Sequence, residues 1–132
     1  MKKIHVAAAV IFSQNRILIA KRPDNKEQGG LWEFPGGKLE QHESSIQCLL
    51  RELREELDIV IENPDFYHQE IYKYPDKQVT LDFYFIREFS GLAKGNERQE
   101  IKWVDPVELS NYSFPPANEQ LVKKLLKYLV KA

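Results

Sequence analysis

Polar and apolar positions along this 132-residue chain fall into short strand-like runs, with two stretches of helical period among them. Residues 4–12 are almost continuously apolar and predict a buried strand. The polar turn Ser13-Gln14-Asn15-Arg16 leads from it to a hairpin partner, Ile17 to Arg22. A polar loop with two glycines, Pro23 to Gly30, precedes a strand over Leu31 to Phe34, and a Gly-Gly turn follows at Gly36-Gly37. Ile46, Leu49, Leu50, Leu53 and Leu57 then recur at three- and four-residue steps, which predicts a helix with one buried stripe. Ser44, with Gln47 three residues on, reads as a capping box at its start. Ile59-Val60-Ile61 is a short strand, and Phe66 to Tyr74 and Gln78 to Phe89 flank the turn Pro75-Asp76-Lys77 as a long hairpin. Ser90 to Asn96 is a Gly-containing loop, Glu100 to Val104 a last strand, and Asp105-Pro106 the opening of a short helical turn. Pro115-Pro116 precedes a final helix that buries Leu121, Val122, Leu125, Leu126 and Leu129 and exposes Lys123, Lys124 and Lys127. This order indicates an α/β (α+β) domain over residues 1–132, a mixed sheet covered by helices.

Composition narrows the class. With 42% hydrophobic and 30% charged residues the chain reads as a soluble globular domain, and a net charge of −1 offers no basic surface to DNA or RNA. The longest apolar run, Val6 to Phe12, is too short to cross a membrane, and no signal peptide is apparent. Cys48 is the only cysteine, which excludes an internal disulfide; with no Cys/His cluster to suggest zinc, it reads as a small core or boundary residue. His5 and His68 have no ligand spacing and read as ordinary strand residues. The expectation is a cytoplasmic monomer that binds neither nucleic acid nor membrane.

The chemistry is concentrated in the first helix. Glu52, Glu55 and Glu56 stand at i, i+3 and i+4 and so project from one face, away from the stripe. Like charges at that spacing repel by roughly 0.2–0.5 kcal/mol per pair on an isolated helix. Arg51 and Arg54 offset part of this, and a bound cation would offset far more. Carboxylates suit hard metals, and Mg²⁺ usually takes one or two of them together with substrate phosphates. A helix rich in Glu and Arg is more often just a solvated face. The Gly-Gly pair and the strand-like LWEF ahead of it favour the metal site.

The spacing carries a further signal. Gly37, five residues, Glu43, seven residues, then Arg51-Glu52-Leu53-Arg54-Glu55-Glu56-Leu57 resembles the box of the Nudix family, Mg²⁺-dependent hydrolases of nucleoside diphosphates linked to another moiety. Asp58 stands where the family has Gly at the helix exit, and His42 where a Gly commonly precedes the first motif Glu. Asp tolerates a left-handed helix end better than most residues, so the departure bears on the exit more than on the chemistry. Nearly the whole chain resembles the Nudix fold, a mixed sheet sandwiched between helices. The KKI start, Arg22, EFPGGKLE, YPDKQVTL and SFPPANE resemble the MutT subgroup, which hydrolyses oxidised guanine nucleotides.

The activity this resemblance implies is conversion of 8-oxo-dGTP to 8-oxo-dGMP and pyrophosphate, dependent on Mg²⁺ with Mn²⁺ as an alternative, sanitising the nucleotide pool. The implied metal ligands are Glu55, Glu56 and the backbone carbonyl of Gly36. Glu52 binds metal or accepts the proton of the attacking water, and Arg51 orients the carboxylates. Glu40 and Glu43 organise the loop or are simply solvated. Glu97 is a further ligand or the general base; by sequence alone it is a solvated loop acid. Arg22 is a phosphate contact or a surface arginine. Glu27 stands where some members use a His, and Lys77 where an Arg is found, which keeps the charge but not the planar guanidinium. Glu33, Phe34, Pro35 and Gly36 supply backbone contacts and a wall for the purine.

Asn118 is the expected base reader. Guanine presents two acceptors, O6 and N7, on one edge, and oxidation at C8 puts a proton on N7. An asparagine amide then donates to O6 and accepts from N7–H at once. Against ordinary guanine one contact clashes, and a buried polar site of this kind rejects the wrong analogue by about 10⁴-fold. The alternative for Asn118 is an N-cap of the last helix. Two other functions compete: hydrolysis of modified pyrimidine or other nucleoside triphosphates, and a non-catalytic nucleotide-binding module. The second is disfavoured because such modules commonly lose box carboxylates, and Glu43, Glu52, Glu55 and Glu56 are all present.

Overall fold

The computed structural model describes residues 1–22 and 29–130. In chain order they form β1 (Lys2–Ser13), β2 (Arg16–Lys21), β3 (Trp32–Glu33), β4 (Gly36–Lys38), α1 (Ser45–Leu57), β5 (Val60–Glu62), β6 (Asp65–Lys73), β7 (Lys77–Ile86), β8 (Glu88–Ser90), β9 (Ile101–Val104), a 3₁₀ turn (Pro106–Asn111) and α2 (Pro116–Val130). Among these residues no helix is long and apolar enough to cross a membrane.

β1 is the centre of a seven-stranded mixed sheet because its apolar run needs cover on both faces. It pairs in parallel with β7 from Lys2↔Lys77 to Ile11↔Ile86, and its end turns through Gln14-Asn15 into β2 as the expected hairpin. β9 and β3 extend the sheet beyond β2, and β6 edges β7. Alternate residues of β1 serve opposite layers. Ala8 and Val10 pack with Leu121, Val122 and Leu125 of α2, whereas Ala7, Ala9 and Ile11 pack with Leu49, Leu53 and Leu57 of α1. The sheet is therefore sandwiched between helices, as expected. In α2, Leu126 and Leu129 are half-buried against the same core, and Lys123, Lys124 and Lys127 are exposed.

Three local expectations are corrected. Gly36-Gly37 is not a turn but part of β4, laid antiparallel on β1 from Val6↔Lys38 to Ala8↔Gly36. Gly36 has φ +155°, and a Cβ there would run into the Ala7 carbonyl and the Ala8 Cα; the glycine serves close approach of two backbones. The strand expected from Gln78 to Phe89 ends at Ile86, and β8 pairs instead with β5 in a separate two-stranded ribbon. The buried face of α1 is also displaced. Ile46 and Leu50 are 43% and 40% exposed, while Cys48 and Glu56 are buried beside Leu49, Leu53 and Leu57. The helix is rolled about its axis so that its acidic side turns inward.

Local signals fix the ends of α1. Gln47 N–H donates to Ser44 Oγ at 3.1 Å and Ser44 N–H to Gln47 Oε1 at 2.9 Å, completing the capping box. At the exit Asp58 takes the left-handed conformation, φ 58°, and its N–H reaches the Arg54 carbonyl. Ser45 Oγ also donates to Asp82 Oδ2 of β7 at 2.5 Å, with His5 Nε2 2.6 Å from the same oxygen and Gln69 Nε2 on the other at 2.7 Å. Burial opposes the Asp82 charge, but these hydrogen bonds prevail and hold its carboxyl below the ordinary range. His5 thus has a specific partner beyond its strand.

Candidate active site

A cleft of about 600 Å³ opens where β4, the C-terminal half of α1, the segment after β8 and the start of α2 meet. Glu33, Phe34, Gly36, Glu56, Glu97 and Asn118 line it together with Arg22. These are residues scattered from position 22 to 118, and their convergence in a volume suited to a small ligand marks the site.

Arg51 is the electrostatic hub beside it. Its Nε and Nη2 fork onto Glu43 Oε2 and Oε1 at 2.8 and 2.9 Å, and Nη1 donates to Glu52 Oε1 at 2.8 Å. The planar guanidinium is what allows this bidentate grip. It holds the Glu43 carboxyl down at about 2, with help from the Glu40 N–H. Its contact to Glu55 is longer, 3.5 Å, and that side chain is 52% exposed. Arg51 thus ties the carboxylates of Glu43 and Glu52 to one guanidinium. Glu52 in turn lies over Gly37, close enough to fill the space of a Cβ.

Glu56 is 8% exposed. Burial, then a hydrogen bond that the protonated Glu56 donates to Glu52 and the nearby charges of Glu52, Glu33 and Glu97, push its carboxyl well above the ordinary range. Glu33 is raised too, by burial, against the pull of Arg22 Nη1 at 3.0 Å from its Oε1. The crowding of negative charge around Glu56 is what a cation would relieve. Among the described residues no three His, Cys, Asp or Glu side chains form a ready-made cage for an ion. Arg51 holds Glu43 and Glu52 toward itself, and Mg²⁺ sites are ordinarily completed by water and substrate phosphates. Glu56 and Glu97, which line the cleft with Gly36, and Glu52, seated over Gly37, are an all-oxygen donor set that fits a hard divalent cation.

Phe34, also in the cleft wall, is buried and stacks on Phe114, centroids 5.2 Å apart. Asn118 is buried beside it, in the first turn of α2. The helix begins at Pro116, so the N-cap alternative for Asn118 does not hold. Lys77 lies 5.2 Å above the Tyr74 ring and lines an adjoining cavity with Arg22, Glu33 and Asn118.

Among the expected residues, Pro35, Arg51, Glu52, Glu55 and Lys77 are not part of the cleft wall. Pro35 is buried and its carbonyl accepts from Ala9 N–H at 2.8 Å, so it fixes the β4 approach. Glu55 faces solvent. Glu27 lies outside the described residues. Sequence reasoning missed Gln99, Asn96 and Lys38, of which Gln99 and Lys38 line the cleft. No motif marks Gln99, whose partners are backbone groups, one of them at Glu56, 43 residues away.

The NUDIX domain family model matches residues 6–124. The 8-oxo-dGTP diphosphatase of Escherichia coli (strain K12) is 36% identical over 126 residues, covering 95% of this chain and 98% of that protein. The CTP pyrophosphohydrolase of the same organism is also 36% identical, covering 96% and 93%. One of the solved MutT structures from Aliivibrio salmonicida and Vibrio cholerae superposes with a TM-score of 0.84 at 40% identity, over 96% of this chain and 99% of that one.

Proposed function

Given that the chain belongs to the Nudix family, we propose that it is a Mg²⁺-dependent pyrophosphohydrolase that takes 8-oxo-dGTP and water to 8-oxo-dGMP and pyrophosphate. The observation that carries this reading is that one cleft is lined both by the acids Glu56 and Glu97 with Gly36 and by Phe34 and a buried asparagine, Asn118. A triphosphate and its base need those two environments side by side.

The obstacle to hydrolysis is charge: water must reach phosphorus through a shell of negative oxygens. Glu52, Glu56 and the Gly36 carbonyl, with Glu55 from the solvent side, would hold a divalent cation, which would supply charge neutralisation for the phosphates. Arg51 keeps Glu52 aimed and takes no part in the chemistry itself. Glu97 accepts the proton of the attacking water as the anhydride between the α- and β-phosphates breaks. Arg22 and Lys77 contact phosphate or sugar from the rim. Phe34 walls the purine, and the Asn118 amide donates to O6 while accepting from N7–H, a pairing that ordinary guanine does not complete.

The equal identity to a CTP pyrophosphohydrolase favours a second reading, a pyrimidine nucleotide substrate in the same site. A panel of 8-oxo-dGTP, dGTP, CTP and dCTP, with products resolved chromatographically in Mg²⁺ and in EDTA, separates the two. Preferential metal-dependent release of 8-oxo-dGMP supports the proposal; preferential cleavage of CTP keeps the machinery and replaces the substrate.

A further inference from the structure

An α-helix leaves its last carbonyls without intrahelical partners, and what meets them fixes the helix end. In α1 the segment after β8 meets three of them. Lys94 N–H donates to the Leu57 carbonyl at 3.1 Å, Asn96 N–H to that of Glu56 at 2.9 Å, and Asn96 Nδ2 to that of Glu55 at 3.1 Å. The same segment carries Glu97.

Gln99 does something the others do not. Its Nε2 donates to the Glu56 carbonyl at 3.0 Å, while its Oε1 accepts from the Glu97 backbone N–H at 2.9 Å. One planar amide therefore spans the backbones of two acids that both line the cleft. Both of its hydrogen bonds have the right sense: an amide nitrogen meets a carbonyl, and an amide oxygen meets an N–H. The loop is wound tightly about it. Arg98, between Glu97 and Gln99, takes a left-handed φ of 65°, and a Cβ on Gly95 would strike the Gln99 carbonyl oxygen.

We propose that Gln99 is a positioning residue for the hydrolysis, its side-chain amide fixing Glu97 at a set offset from Glu56 so that loop and acidic helix act as one unit. This rests on the roles proposed above for Glu56 and Glu97. Gln99 itself touches no reacting atom. Without the bridge the loop keeps its other ties to α1, but Glu97 is free to swing off line, and displacement of a reacting group by about 1 Å costs on the order of 100-fold in rate.

The test is a double-mutant cycle on steady-state kinetics with 8-oxo-dGTP. Gln99→Met keeps the side-chain length and removes both hydrogen bonds. Gln99→Glu keeps the acceptor for Glu97 N–H and removes the donor to Glu56, so it guards against a packing defect in the first variant. Both should lower kcat by about 10- to 100-fold with KM within about twofold of the parent. Glu97→Gln alone should lose about 100-fold or more. Combining Glu97→Gln with Gln99→Met should be no slower than Glu97→Gln alone, because the amide acts only through Glu97. Parental kcat in both Gln99 variants, beside a crippled Glu97→Gln, overturns the positioning role while leaving Glu97 in place. A double variant slower by the full product of the single effects overturns it as well. Parental activity of Glu97→Gln removes the Glu97 role, and this proposal with it.

Discussion

The Glu52 carboxylate occupies the space in which any residue but glycine at position 37 would carry its Cβ, with both oxygens 2.6 Å from that point. The second glycine of the pair is thus a seat for an acid. Gly37→Ala should push Glu52 aside and break its alignment by Arg51, lowering kcat by about 100-fold. The displaced atoms end a flexible side chain, so the thermal midpoint should change little. Unaltered kcat in a folded Gly37→Ala protein would show that the Glu52 placement is dispensable.

The Arg51 fork makes a pH-dependent contribution to the fold. Hydrogen bonds from Arg51, then the Glu40 N–H, hold the Glu43 carboxyl at about 2 against an ordinary 4.5. A carboxyl depressed in the folded state stabilises above its unfolded pKa, and the contribution disappears as pH falls through the folded one. The stability gap between the parent and Glu43→Gln should be steady from pH 7 to about 5, shrink below 4.5 and close near 2. Thermal melts across that range check it; a gap independent of pH would deny the fork its hold.

Glu56 gives the opposite sign. Its buried carboxylate is crowded by Glu52, Glu33 and Glu97, so in EDTA near neutral pH Glu56→Gln should melt at a higher temperature than the parent. A ligand that binds only the folded state raises its stability by mass action. Millimolar Mg²⁺ should therefore raise the parent's midpoint, leave that of Glu56→Gln nearly still, and support turnover only in the parent. Equal Mg²⁺ shifts in the two proteins would take Glu56 out of the cation site.

What the sequence makes legible and what it hides divide along range. The Ser44/Gln47 box and the left-handed Asp58 are local, involve residues three or four apart, and were readable. The roll of α1 was not, because whether Leu50 or Glu56 is buried depends on how the helix lies on β1 and β4. Gly36-Gly37 is compatible with a reversal or with close strand approach, and only the neighbouring Ala7 carbonyl decides. Asn118 has two readings until the first residue of α2 is known to be Pro116. Gln99 is illegible for the same reason as the roll: its partner at Glu56 is a main-chain carbonyl 43 residues away, and a backbone group leaves no mark in sequence.

Asp58 is also a stability prediction. It holds a left-handed φ of 58° that glycine adopts without penalty, and its ion pairs, Lys94 at 3.3 Å and Arg54 at 3.8 Å, are exposed. Exposed pairs contribute about 0–1 kcal/mol, against about 1–2 kcal/mol for left-handed strain in an ordinary L-residue and less for Asp. Asp58→Gly should therefore gain about 0.5 kcal/mol by denaturant titration, with kcat unchanged. A loss would mean that the ion pairs outweigh the strain.

We propose that Asn118, buried in this Nudix cleft, reads the oxidised purine. The most direct measurement is the ratio of kcat/KM for 8-oxo-dGTP to that for dGTP, in the parent and in Asn118→Ala. The parent ratio should be on the order of 10⁴, as a hydrogen-bonding site that leaves polar groups unpaired with the wrong analogue permits. In Asn118→Ala it should collapse by about 100-fold or more, through loss of 8-oxo-dGTP turnover and with dGTP turnover nearly constant. A ratio that survives the substitution would contradict the claim and return Asn118 to a structural residue of α2.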